Sequence, residues 1–265
     1  MKRISFPTIR TRFVAMCTRF PITLAFILAF TVCSICVSHE VITEDRFCFF
    51  ALFYTFSAAL LSTVLRLWDE EIDNRWLSRG VQFVVQLGWL GFMIYFVSEW
   101  EPGIIRLTAL ISLMTAMVVA GFLVSFTKEK TDLPLWHFTF RTLFAAITAV
   151  VVGGIFWGGI TLLFASFKQL FSLQLWNNVW SDIAIVCLGF ITPILFLQLL
   201  PGGEHKHDRS NRGMPHWANA VVHYLFVPLT VAYLVTLYAY AAKILITWQL
   251  PNGWVSWLVS VLVLL

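Results

Sequence analysis

Apolar residues run in long blocks along this chain, and the polar residues are confined to the short stretches between them. Seven blocks cover residues 22–38, 47–67, 81–98, 105–126, 138–167, 183–200 and 220–242. An eighth begins near Trp254 and stops at Leu265. Crossing the hydrocarbon of a bilayer as a helix takes about 20 apolar residues, so the first seven are read as full spans and the last as a truncated eighth. The blocks do not alternate apolar with polar, which sets aside the strands of a membrane barrel. The expected fold is therefore all-α, a polytopic transmembrane helical bundle, because backbone facing lipid has to satisfy its own hydrogen bonds.

The charges between the blocks set a direction. Of the 18 Lys and Arg residues, 14 fall in the N-terminal tail and in every second loop after it, and the opposite set holds only Arg46, Arg106, Lys168 and Lys243. Basic loops stay on the cytoplasmic side. The N-terminus is therefore placed in the cytoplasm, and the chain is expected in the inner membrane as a multi-pass protein. A hydrophobic fraction of 59% with 12% charged residues agrees, being far from the composition of soluble domains. No polar tract is long enough for a soluble domain, so residues 1–265 are read as one transmembrane domain. The net charge of +4 does not imply nucleic acid, since the basic residues sit at block ends where anionic headgroups attract them. The tail before residue 22, with Lys2, Arg3, Arg10, Arg12 and Arg19, imitates a signal peptide but lacks a clean small-residue cleavage site. The first block is read as an uncleaved span.

Between the second and third blocks lies RLWDEEIDNRWLSR, residues 66–79. Arg66 with Glu70, and Glu71 with Arg75, are spaced four apart for pairing on a helical surface, and the segment is read as a short interfacial helix continuing the second span. Its acidic cluster Asp69, Glu70, Glu71 and Asp73 is read as a solvated face rather than a ligand site. Pro134 is expected to interrupt the linker before the fifth block. That block has 30 residues, about 45 Å as straight helix, so it tilts or protrudes. Its centre, GGIFWGG, holds Gly153, Gly154, Gly158 and Gly159. The Gly154 and Gly158 pair has the spacing that lets two membrane helices approach closely, and the four glycines are assigned to helix packing. A locally opened helix at a transport site is the alternative.

The later blocks carry the polar residues. Ser181 is placed as the cap of the sixth span and Asp182 in its first turn, where the helix dipole favours a carboxylate. Pro193 and Pro228 each remove a backbone donor and are expected to kink the sixth and seventh spans at matching depth. Tyr233, Thr236 and Tyr240 share one helical stripe, with Thr230 on the same block. Asp182, Pro193, Pro228, Thr230, Tyr233, Thr236 and Tyr240 together outline a polar cavity or kink. Packing and anchoring explain the seventh-span stripe first and a ligand-facing surface second, while Asp182 is read first as part of the cap and second as a site of proton or cation coupling.

Little else carries chemistry. The chain has no HExxH and no GxSxG, and no two carboxylates lie deep in the blocks, so no catalytic residue and no cofactor is assigned. The loop PGGEHKHDRSNRGMPHW offers Glu204, His205, His207, Asp208 and His216. Its glycines and prolines make it a flexible connection, and no metal site is assigned. Cys33 and Cys36 form a CxxC inside an apolar helix, away from the exposed helix start a redox dithiol needs.

The stretch HYLFVPLTVAYLVTLYAYAAKILITWQLPNGWVSWLV, residues 223–259, resembles the bacterial membrane family catalogued as domain of unknown function 4153 (DUF4153). Residues 228–256 carry most of the likeness, and the Arg-Phe-Pro at Arg19, Phe20 and Pro21 is similar to that family's start. The resemblance implies a multi-spanning bacterial inner-membrane protein, with further sequence after the unfinished eighth span, and it implies no activity or ligand. The expected role is structural or interactive, with the lipid bilayer and another membrane protein or a second copy as partners. A transporter or permease for a small substrate is the alternative, and an intramembrane enzyme has the least support.

Overall fold

The computed structural model describes residues 14, 16–41, 44–69, 75–98, 104–124, 132–171, 178–200 and 227–247, with only the backbone described at some helix ends. The described residues form helices and no strand. They are α1 (Pro21–Ser38), α2 (Asp45–Asp69), α3 (Arg75–Ser98), α4 (Ile104–Val124), α5 (Asp132–Phe171), α6 (Val179–Leu199) and α7 (Val227–Thr247). Among the described residues four stretches are long and apolar enough to cross a membrane: Pro21–Ser38, Arg46–Asp69, Thr139–Lys168 and Val179–Leu199. Shorter apolar stretches occupy Gly80–Phe96, Thr108–Gly121 and Val227–Ala239.

Several helix ends differ from the expectations, each for a local reason. Pro134 lies inside α5, two residues after its start at Asp132, where its missing N–H costs no helical bond. The helix therefore runs for 40 residues, about 60 Å and roughly twice the hydrocarbon thickness, so its ends project beyond any bilayer. Ser181 is not the cap of α6: the helix starts at Val179 after Asn178, which makes no side-chain cap bond. Asp182 remains in the first turn and donates its backbone N–H to the Asn178 carbonyl at 2.9 Å. Residues 75–79, assigned to an interfacial helix from sequence, are the start of α3. Residues 70–74 lie outside the described set, as do the histidine loop and the eighth apolar block.

The end of α1 is closed by backbone geometry. Val41 N–H reaches the Cys36 carbonyl at 3.0 Å and Glu40 N–H the Val37 carbonyl at 3.1 Å. This is the paired bonding of a Schellman cap. It needs a left-handed residue, and Glu40 supplies it at φ 54°.

The chain divides into two compact units. The first is Met1–Thr148 with Pro193–Arg209, and the second is Ala149–Thr192 with Ser210–Leu265. In the first unit α2 is the hub, touching α1, α3 and α4. Its contact faces are made of small residues: Ala51, Thr55, Ser57, Ala58 and Ser62 are all buried. Small side chains let helix backbones approach where the hydrophobic effect gives no drive between helices. The Thr23 and Ser62 hydroxyls meet at 2.9 Å between α1 and α2. From α3, Gln82 and Gln86 donate to the Leu65 and Ala58 carbonyls at 3.3 Å each, and the Trp89 indole donates to the Ser57 hydroxyl at 2.9 Å. Gly121 of α4 lets Val64 approach so closely that a Cβ there would stand 2.9 Å from its Cγ2.

The outward faces are apolar. Phe83 and Val84 of α3 are each 67% exposed, and Phe140, Phe144, Val150 and Val235 are also exposed. Only 17–28% of each long apolar stretch is buried inside the protein. A water-soluble fold would hide such surface, whereas hydrocarbon accepts it.

Candidate functional site

Of the polar candidates, Asp182, Thr230, Tyr233 and Thr236 belong to the second unit, and Tyr233 reaches the central glycines of α5. Gly153 faces α6: a Cβ at that position would collide with the Thr192 hydroxyl. Gly159 faces α7: a Cβ there would stand 2.6 Å from Leu229 Cδ2. These two glycines are buried, and they receive different neighbours because six residues of helix turn them about 120° apart. Gly154 and Gly158, the pair with the four-residue spacing, have no atom of the described residues within 4 Å of where a Cβ would lie.

On α7, Tyr233 is fully buried and its hydroxyl donates to the Gly159 carbonyl at 2.6 Å. The phenol thus satisfies its polar end on backbone that only a glycine leaves bare. Thr236, one turn on, is buried and donates to the Ala232 carbonyl of its own helix at 2.9 Å. Thr230 is half-buried and Pro228 exposed. Pro228 is the second residue of α7, a position that tolerates proline; the preceding residues, on which a kink within the span depends, lie outside the described set. Tyr240 belongs to the α7 backbone, and its side chain lies outside the described residues. Asp182 is half-buried at the other end of α6.

Pro193 is accommodated by a change of helix type. The seven residues Ile185–Ile191 form a π-helix, flanked by α-helix at Val179–Ala184 and Thr192–Leu199. Thr192 donates both its backbone N–H and its hydroxyl to the Cys187 carbonyl, the hydroxyl at 2.9 Å. Thr192 was not among the sequence candidates. Its signal was its place directly before a proline, where a hydroxyl can supply a donor in a damaged part of the ladder.

A second polar cluster closes the first unit. Arg66 donates from Nε to the Arg19 carbonyl at 2.7 Å and pairs through Nη1 with Asp69. Arg19 lies 4.7 Å from the centre of the Phe20 ring and donates to the Leu200 carbonyl at 3.3 Å. The expected pairing of Arg66 with Glu70 lies outside the described residues; positions three and four residues on are both within reach on a helix. Cys33 and Cys36 are half-buried on α1. Among the described residues no three metal-ligating side chains come together.

A chain whose described residues are helical, with four bilayer-length apolar helices among them, outward apolar faces and hydroxyls bonded back to helix carbonyls, is a membrane protein. Comparison then gives its family. A family model, Domain of unknown function (DUF4153), matches residues 24–262, and the chain belongs to that family. No curated protein and no solved structure matches the chain.

Proposed function

We propose that this chain is a multi-pass protein of the bacterial inner membrane with a structural or interaction role. Its N-terminus lies in the cytoplasm, and the topology comprises seven full spans and an eighth that begins near Trp254. The basic residues of alternate loops support the orientation, and the helices α1 to α7 support the first seven crossings. The observation that carries the role is the use made of the α7 polar stripe. Tyr233 is wholly enclosed on the Gly159 carbonyl and Thr236 is bonded within its own helix, so both act in packing. The surface offered to a partner is the outward side of α5, where the bare backbone at Gly154 and Gly158 admits another helix closely. A second copy or another membrane protein would fit there.

Single cysteines at Tyr233 and Thr236 test the role in native membranes. The interaction reading expects both to resist a membrane-impermeant maleimide from either side. Labelling from both sides would overturn it in favour of a permease, for which the π turn of α6 next to Pro193 is the supporting feature. Reporter fusions after Glu44, Glu101 and Trp176 should read outside, and those after Asp73, Lys130 and Asp208 inside.

A further inference from the structure

The π turn of α6 sits between two hydrogen-bond registers that have similar defects. In the register observed, Thr192 reaches back five residues to the Cys187 carbonyl with both of its donors. Pro193 has no N–H, so the Leu188 carbonyl, five residues before it, lacks the donor this register would give it. In the α register Thr192 would move to the Leu188 carbonyl, four residues back. The carbonyl left without a donor would then be that of Gly189, and the pyrrolidine ring would press against it. One register has poorer helix geometry, and the other has the proline clash.

A further feature lies at this point. The Thr192 side chain stands against the bare backbone of Gly153, where a Cβ would collide with its hydroxyl. A packed helix interior resists continuous deformation, whereas a step of one residue between two bonded states is discrete.

We propose that Thr192 and Pro193 form a register switch in α6. Thr192 alternates between the Cys187 and Leu188 carbonyls, and the helix upstream of it turns by one residue, about 100°. The π state is the one in the structure. Gly153 gives the hydroxyl a side-chain-free surface across which to move.

Spin labelling of the full chain in phosphatidylethanolamine–phosphatidylglycerol vesicles tests this. Cys17, Cys33, Cys36 and Cys48 are replaced by Ser, and Cys187 is replaced by Ser in every sample but its own. One nitroxide is placed in turn at 186, 187, 188 or 197, and access to dissolved oxygen is measured. In the native background positions 186 and 188 should be accessible and 187 and 197 protected, matching their exposure in the structure. Pro193→Ala removes the ring and restores the N–H, so the accessible positions should shift by one residue. Position 187 should then become accessible while 197 stays protected. Native spectra at 188 should also contain a second, less accessible component that grows on warming and is the one component left in Pro193→Ala. The switch is overturned by an unmoved accessibility pattern in Pro193→Ala, by exposure of 197 together with 187, or by a single native component at all temperatures.

Discussion

Replacing Gly159 with Ala, set beside the same change at Gly158, isolates the contact that holds α5 to α7. Both residues are in the middle of one helix, so the intrinsic gain of Ala over Gly, about 0.8–1 kcal/mol, is common to both. Their surroundings differ. At Gly158 nothing among the described residues lies within 4 Å of the added Cβ, whereas at Gly159 it arrives 2.6 Å from Leu229 Cδ2. Carbon atoms rest about 3.5–4.0 Å apart, so Leu229 must retreat by about 1 Å. Leu229 is buried and has little room. Overpacking of this kind costs about 1–3 kcal/mol, and movement of α7 also lengthens the 2.6 Å bond from Tyr233 to the Gly159 carbonyl. Gly159→Ala should therefore be less stable than Gly158→Ala by about 1–3 kcal/mol, roughly 5- to 150-fold in the unfolding constant at 1.4 kcal/mol per decade. Reversible unfolding in mixed micelles, followed by tryptophan fluorescence and far-ultraviolet circular dichroism, measures the difference. Adding Leu229→Val should recover part of the loss. If the two alanine variants agree within about 0.5 kcal/mol, the steric argument fails.

Other contacts give smaller, separate expectations. Tyr233→Phe keeps the buried ring and removes only the hydroxyl, so it should cost about 0.6 kcal/mol and no more than about 1.7 in the same unfolding assay. A loss above about 3 kcal/mol would mean that the hydroxyl organises more than one helix contact. The Thr23 and Ser62 pair, 2.9 Å apart and buried, should show a coupling of about 0.6 kcal/mol in a double-mutant cycle of Thr23→Val and Ser62→Ala. No coupling would mean each hydroxyl is satisfied by its own helix. Glu40→Gly should stabilise the protein by about 1 kcal/mol, because glycine adopts the left-handed conformation at the end of α1 without the Cβ penalty. A destabilisation would assign the Glu40 side chain a role that outweighs the strain.

The helices were largely legible from the apolar blocks, because length and hydrophobicity decide which segments can sit in hydrocarbon. The first block, 22–38, differs from α1 by a single residue at its start. The differences arise where one residue type permits two outcomes. Pro134 reads as a break, yet proline in a first turn sacrifices no bond, so α5 begins before it. Ser181 reads as a cap, yet α6 starts two residues earlier. Pro193 reads as a kink, and the chain absorbs it by widening the preceding turn, a choice that depends on Thr192 finding the Cys187 carbonyl.

The glycines of α5 divide the two levels of information most clearly. Their clustering in an apolar block was enough to mark a place where a helix surface is bare. Which glycines are covered depends on the directions from which α6 and α7 arrive, and those follow from contacts far apart in sequence, such as Tyr233 on Gly159. The sequence alone settles that this is a helical membrane chain, because the cost of an unsatisfied backbone in lipid is local and applies to every residue of a span. Only the tertiary structure selects Gly153 and Gly159 for burial and leaves Gly154 and Gly158 half-buried, with no described neighbour against them. Close packing is a property of paired surfaces, and the spacing along one helix does not specify the other.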